Sequence, residues 1–359
     1  MSGPRQSEGR ATLRDVARAA GVSTSTASLV FSGKGPVAAA TGARVRAAAT
    51  DLGYAGPDPL ASSLRAGRSG VVGVLVEGRL REVFRDPFAV TVLDGLAAVL
   101  DTIPVGMLLL AQDLSDHDRA VAQLATIALD AVVFSLCGPD DNPAVNHLAA
   151  RGIPMIGAGA PHDPRVTQVL IDEGGSMAAA ALHLQSLGHE RPAMVALPLS
   201  PARASGPMSE ERLRAATYAD ARERVVGFRS SVGTDALIVE ALASGVEEGR
   251  AAAGFLLDLP ADRRPTAIVA QSDLLAAGVI RAAEDRGLGV PEDLSVTGFD
   301  GIDLPWLHHR LTTIDQFATA KGERLGELVT KVLAGQTIAD VTLPTALRLG
   351  TTTGPPPGR

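Results

Sequence analysis

From Val71 onward the chain carries nine short apolar runs, VVGVLV, PVGMLLL, AVVFSL, PMIGAG, VTQVLID, AMVAL, ALIVE, AIVAQ and SVTGF. Between them lie segments of helical periodicity such as Phe88 to Leu100 and Asp118 to Leu129. Runs that are apolar on both faces belong to parallel strands, and parallel strands need crossover helices that then cover the sheet. Nine strands exceed one small sheet of this kind. The pattern therefore predicts an α/β body of two Rossmann-like lobes over residues 70–350, with a ligand cleft where the C-terminal strand ends face each other.

The segment before Val71 follows another rule. Leu13, Val16, Ala17 and Ala20 recur at i, i+3, i+4 and i+7, and Thr12 followed by Asp15 makes a capping-box start. Gly21 can take the positive φ that ends this helix, Val22 can staple inward, and Ser23 can cap a second helix that buries Ala27, Val30 and Phe31. Val45, Ala48, Ala49 and Leu52 repeat the helical spacing a third time. Residues 11–57 thus predict an all-α helix-turn-helix domain, whose short turn lets the start of helix 2 reach base edges. Thr24, Ser25 and Ser28 face outward there, without a packing role.

Charge is divided in the same way. Residues 1–70 hold nine Lys+Arg against four Asp+Glu, net +5, and the remainder holds 24 against 36, net −12. A basic end on an acidic body suits a polyanionic partner at that end only.

Two stretches of the N-terminal part carry a family resemblance. GVSTSTASLVFSGKGPV resembles the LacI/GalR signature GVSxxTVSxVLNGxxxV, and DLGYAGPDPLASSLRAGRSG resembles that family's hinge, LGYxPNxxAxxLxxGxT. The resemblance implies a dimeric, effector-controlled transcription regulator. It places Thr24 and Ser25 at base-reading positions and Ser23, Thr26 and Ser28 beside phosphates, and it makes Leu64 the hinge leucine that wedges into the minor groove; Thr12 and Leu29 complete the expected DNA-facing set. Residues 58–69 form the expected hinge, and Pro59 to Ala66 is too short for a stable lone helix, so it should form only when paired on DNA. The chain departs from the pattern at Leu29, Ser32, Ala38, Gly42 and Asp58, each departure removing a basic or hydrogen-bonding group. The expectation is a weakened phosphate contribution and an unusual operator.

The body carries the resemblance as well. VLIDEGGSMAAAALHLQSLGHERPAMV, PTAIVAQSDLLAAGVIRAAEDRGLGVPEDLSVTGFDGID and LTTIDQ are similar to the family's corresponding segments. This implies a fold like that of periplasmic sugar-binding proteins, with three crossings between the lobes, and hence a division into lobe 1 at about 70–164 and 317–341 and lobe 2 at about 165–315 and 342–350. Residue by residue, it implies that Arg224 clamps a ligand, that Asp300 binds it and that Gln316 adds a polar contact. Ser272 stands where Asn commonly precedes Asp273.

The chemistry fits a sugar or polyol. A carboxylate accepts two hydroxyl protons and a guanidinium donates a planar fork, so Asp300 and Arg224 on opposite walls would fix adjacent hydroxyls, though the same pair could form an interlobe salt bridge. Asp273 is read either as a helix cap or as a ligand contact, and Phe88 either as a stacking face or as core. Asp220 and Tyr218 are pocket candidates upstream of Arg224, Trp306 is a candidate cleft residue, and Phe134 and Phe255 are read as core.

Other classes are excluded. Gly157-Ala158-Gly159 runs into Pro161 without the third glycine of a dinucleotide fingerprint, and no Walker A, GxSxG or HExxH motif occurs, so no enzyme and no cofactor are expected. His117, His147, His162, His183, His189, His308 and His309 show no metal spacing. Cys137 is the sole cysteine, which excludes an internal disulfide and suits a reducing cytoplasm. Without an apolar run long enough to span a bilayer or a leader in MSGPRQSEGR, a cytoplasmic protein is expected, with no membrane partner. Residues 1–10 and 351–359 are expected to be disordered. The partners expected are a palindromic double-stranded operator, a small polar effector and a second copy of the chain. A repressor is the favoured role; a family activator, or a solute-binding protein without DNA function, is the alternative.

Overall fold

The computed structural model describes residues 11–33, 35–56, 67–114, 117–136 and 138–358, with only the backbone at 117 and 120. Residues 1–10, Asp58, Leu64, Cys137 and most of the hinge lie outside the described residues. Two compact units divide the chain, Met1–Ser69 and Gly70–Arg359.

The first unit is built from α1 (Leu13–Ala19), α2 (Thr24–Ser32) and α3 (Ala39–Asp51). Both halves of the capping box form, with the Thr12 side chain accepting from the Asp15 N–H and the Asp15 carboxylate accepting from Thr12. Gly21 takes φ 64° between α1 and α2. Val16, Ala17, Ala27, Val45, Ala48 and Ala49 make the core, and Phe31 meets Tyr54 edge to face at 5.4 Å to close it. Leu52, expected inside, is 41% exposed, because it is the C-cap of α3, beyond the Val45–Ala49 stretch that packs into the core.

The second unit runs β1 (Val71–Glu77), α4 (Leu80–Val83), α5 (Pro87–Leu100), β2 (Gly106–Gln112), α6 (His117–Ala125), β3 (Ala131–Phe134), α7 (Ala144–Ala150), β4 (Met155–Gly157), β5 (Val166–Leu170), α8 (Glu173–Ser186), β6 (Ala193–Ala196), β7 (Gly206–Pro207), α9 (Glu210–Arg214), α10 (Ala219–Val232), β8 (Ile238–Glu240), α11 (Val246–Leu257), β9 (Ala267–Ala270), α12 (Asp273–Glu284), β10 (Ser295–Asp300), β11 (Thr312–Asp315), α13 (Ala318–Leu333), β12 (Val341–Thr342) and β13 (Ala346–Arg348). One sheet has the order β12-β5-β4-β3-β1-β2 and is parallel throughout. The other has the order β13-β11-β10-β9-β6-β8-β7, with an antiparallel strand at each edge. The chain passes between the lobes three times, after β5, after β11 and after β12.

Two expected boundaries change. Val166–Leu170 pairs with β4 and so belongs to lobe 1, and Thr342 pairs with Leu170 in the same sheet. The tail beyond residue 350 is also ordered as far as 358. The Val296 N–H donates to Thr352 O at 2.8 Å, the Thr312 N–H donates to the Thr352 hydroxyl at 3.0 Å, and Gly354 O accepts from Ser295 and His189. These residues satisfy the ends of β10 and β11, a role that a Gly/Pro-rich tail does not advertise.

Three of the helix pairs that cover the sheets cross where glycine permits backbone contact. A Cβ on Gly322 of α13 would lie 2.1 Å from Val92 O of α5, one on Gly227 of α10 would lie 2.0 Å from Gly174 O of α8, and one on Gly278 of α12 would lie 2.2 Å from Val246 O of α11.

Candidate functional site

In the first unit the polar residues gather at the start of α2. Ser23 caps the helix by accepting from the Thr26 N–H at 3.1 Å, and its hydroxyl also meets those of Ser25 and Thr26, each at 2.8 Å. The Ser23 hydroxyl is thus the hub that orients the turn. Thr12, Thr24 and Ser25 are exposed, while Thr26 and Ser28 are half-buried. Leu29 is exposed and leans on Gly35. Arg14, Arg18, Arg44 and Arg46 are exposed around this core. Gly42, where the family pattern has a basic residue, is covered by the Arg46 guanidinium, whose Nη2 would stand 3.1 Å from a Cβ there.

In the second unit the polar residues gather at the C-terminal strand ends. Asp300 is the last residue of β10 and holds φ 136°, a backbone conformation that non-glycine residues rarely adopt and that persists only where its surroundings enforce it. The enforcement is visible. Gln316 Nε2 donates to Asp300 Oδ1 at 2.8 Å, the Asp273 N–H donates to Oδ2 at 3.2 Å, and Lys321 Nζ of α13 donates to Gln316 Oε1 at 3.2 Å. That chain runs from lobe 1 to lobe 2.

Arg224 of α10 is fully buried. Its Nε donates to Glu173 Oε2 at 2.7 Å, its Nη1 donates to Gln271 O at 2.8 Å, and the guanidinium lies 3.8 Å from the centre of the Phe299 ring. The opposite-wall arrangement is corrected here, because Arg224 and Asp300 stand on elements of the same lobe. The salt bridge that Arg224 makes, to Glu173, is likewise within lobe 2.

Asp273 is neither the cap nor free to bind. The cap is Ser272, whose Oγ accepts from the Leu275 N–H at 3.1 Å and from the Ser244 hydroxyl at 3.2 Å. The Asp273 carboxylate accepts from Thr313 Oγ1 at 2.6 Å and from the Ile302 N–H at 2.7 Å, tying down the loop that follows Asp300. Gly298 is required beneath it, since a Cβ there would fall 2.1 Å from Asp273 Oδ1.

Lobe 1 contributes Phe88, half-buried at the start of α5 with Lys321 Nζ 5.8 Å from its ring centre. Asp86 caps that helix by accepting from the Phe88 and Ala89 N–H groups. The Tyr218 hydroxyl of lobe 2 donates to Glu77 Oε1 at the end of β1, and the Asp140 N–H donates to Thr217 O at 3.1 Å, so these bonds also cross between the lobes.

Carboxylates dominate this region. Burial pushes Asp300 well above the usual carboxylate range; the neighbouring Asp273 and Asp86 charges push it the same way, and Arg224 opposes them. Burial likewise raises Asp273, Asp86 and Glu77, and it raises the Tyr218 phenol beside Glu77. Carboxyls raised in this way hold a proton more readily, so the site offers hydrogen donors as well as acceptors.

The sequence reading missed Glu77, Asp86, Glu173, Gln271 and Lys321. Glu77 and Asp86 stood at a strand end and a strand-to-helix loop, where a ligand contact belongs in this architecture; that position is the signal that would have found them. Two aromatics fall elsewhere. Trp306 lies 5.0 Å from the Arg281 guanidinium, two turns of α12 beyond Asp273, and Phe255 is 50% exposed where a core residue was expected. Among the described residues no helix is long and apolar enough to cross a membrane, and no group of His, Cys, Asp and Glu is placed to hold a metal.

A three-helix unit with a polar helix start, joined in one chain to a two-lobed body with a polar cleft, defines the class of DNA-binding regulators with a ligand-sensing body. Residues 12–56 match the model of bacterial regulatory proteins of the lacI family, and residues 181–353 match that of a periplasmic binding protein-like domain. The chain is 34% identical to the HTH-type transcriptional regulator Rv3575c of Mycobacterium tuberculosis, over 97% of this chain and 98% of that one. Its fold is similar to that of a LacI-family transcriptional regulator from Corynebacterium glutamicum, with TM-score 0.71 and 27% identity over 97% of this chain and 99% of that one. It is also similar to a CelR–cellobiose complex, with TM-score 0.67 and 26% identity over 96% and 100% of the two chains. The chain belongs to the LacI family of bacterial transcriptional regulators, and it acts by binding DNA rather than as an enzyme.

Proposed function

We propose that this regulator is a cytoplasmic, homodimeric repressor whose affinity for a palindromic operator is set by a sugar or polyol held between the two lobes of its body. The observation that carries the effector half is the Lys321–Gln316–Asp300 chain, because it joins the lobes through the residue with the strained backbone. A ligand donating hydroxyls to Asp300 competes within that chain and so couples occupancy to lobe position. Arg224 forms the floor of the site, Phe88 offers an apolar face, Asp220 lines the neighbouring wall, and Ser272 and Asp273 hold the framework. The cellobiose bound by the CelR relative supports this ligand class.

On the DNA side, Thr24 and Ser25 read bases. Ser23, Thr26 and Ser28 position the helix start on phosphates, Thr12 and Leu29 flank it, and the Leu64 pair wedges the centre of the site. The missing basic groups leave fewer phosphate contacts, so the salt dependence of binding is shallow for the family. The test is selection of duplexes from a random pool, followed by the Thr24→Ala/Ser25→Ala double variant. A changed preferred sequence at unchanged melting temperature is expected; the same preferred sequence would refute the assignment of base readers.

A further inference from the structure

Residues 350–354 are held to lobe 2 by two histidines. His189, in the turn after α8, is 2% exposed. Its Nε2 lies 2.9 Å from Gly354 O, a carbonyl that can only accept, so this nitrogen carries the hydrogen and Nδ1 accepts from the Thr266 hydroxyl at 2.8 Å. The Gly354 N–H in turn donates to Ser295 Oγ at 3.0 Å. His183, in the last turn of α8, meets the Thr353 hydroxyl through Nε2 at 3.0 Å, and Thr353 meets Thr312 Oγ1 at 3.1 Å. The Gly350 N–H donates to the same Thr312 hydroxyl at 3.0 Å, and the fully buried Thr352 donates to Val296 O at 2.7 Å. The segment thus ties the start of β10 to the start of β11. Asp300 ends the first of these strands and Gln316 follows the second.

The groups that face the two rings are uncharged: Thr266 before β9, Ser295 of β10, and Thr353 with Gly354. Among the described residues neither ring is paired with a carboxylate, and His183 repels a charge on His189. Burial holds both rings below the usual histidine range. We infer that residues 350–354 form a pH-sensitive clamp, closed while His183 and His189 are neutral and released when they take up protons, and that its release loosens β10 and β11 at the ends opposite Asp300 and Gln316. This holds whatever the effector is. A histidine kept neutral in the closed state and free to charge in the open one favours opening as pH falls below about 6.5. Between pH 7.5 and pH 5.0 the shift reaches about 30-fold for each such histidine. The buried carboxyls Asp300 and Asp273 act in the opposite sense, so a histidine variant, compared with wild type, isolates the clamp.

The test reads amide hydrogen-exchange protection factors of residues 351–354 in the full chain at pH 7.5 and pH 5.0, with β6 as the internal reference. It compares wild type, His189→Gln and the His183→Gln/His189→Gln double variant; glutamine keeps a donor for Gly354 O and does not titrate. On acidification, wild-type protection of the segment should fall at least tenfold further than that of β6. The excess should shrink in His189→Gln and vanish in the double variant. Equal falls in the segment and in β6 of wild type overturn the inference, and so does an undiminished excess in the double variant. If the glutamine variants do not fold, Thr353→Val decides: it frees His183 to charge in the closed state and should shrink the excess, and an excess equal to that of wild type refutes the clamp.

Discussion

Asp300 concentrates the chemistry of the body in one side chain, and its protonation is tied to stability. Burial and the Asp273 and Asp86 charges raise its pKa in the folded chain. Where the unfolded chain has already lost that proton, from about pH 4 upward, the folded chain still holds it, so this group's contribution to stability declines as pH rises. Asp273, raised to about 6 chiefly by burial, acts in the same direction over the same window. Melting wild type and Asp300→Asn at pH 5 and pH 8 should therefore show wild type gaining relative to the variant at pH 5, and a difference independent of pH would contradict the assignment. At the other end of the molecule, Ser23→Ala removes the cap and hydroxyl hub of α2. It should cost about 1 kcal/mol of helix stability, seen as faster hydrogen exchange of the amides of residues 24–32, with the body unaffected.

Elements explain what was legible. The nine short apolar runs all became strands, most of them because a strand buried on both faces has to be apolar throughout, which is a strong signal. β11 was not read as a strand. Its Thr312 and Thr313 are buried, yet their hydroxyls are satisfied by Thr353 and Asp273, partners remote in sequence that no local pattern reveals. The edge strands β7, β12 and β13 are two or three residues long and carry no periodicity. Arg224, Asp300 and Gln316 are singled out by family motifs and Asp220 by its place upstream of Arg224, whereas Lys321 joins Gln316 only because α13 of lobe 1 packs beside it. Helix crossings were illegible for the same reason, and they are testable. Gly227→Ala would place a methyl 2.0 Å from Gly174 O at the α8–α10 crossing. Forcing those helices apart should cost at least about 1–3 kcal/mol in chemical denaturation of the body, and a neutral result would mean that the crossing is not held by backbone contact.

At the scale of the whole molecule, a basic reading unit and an acidic sensing body share one chain, and function requires that each be affected by what the other binds. By linkage, an effector that favours one lobe arrangement changes operator affinity only as far as it binds the two arrangements unequally. The most direct measurement is operator affinity of the full chain, by fluorescence anisotropy on a duplex selected from a random pool, without effector and then with a saturating sugar or polyol that binds the body. The account predicts at least a fivefold loss of affinity, the lower end of about 5–150-fold for allosteric coupling, and abolition of that response in Asp300→Asn. An operator affinity unchanged by a ligand shown to occupy the cleft would contradict it.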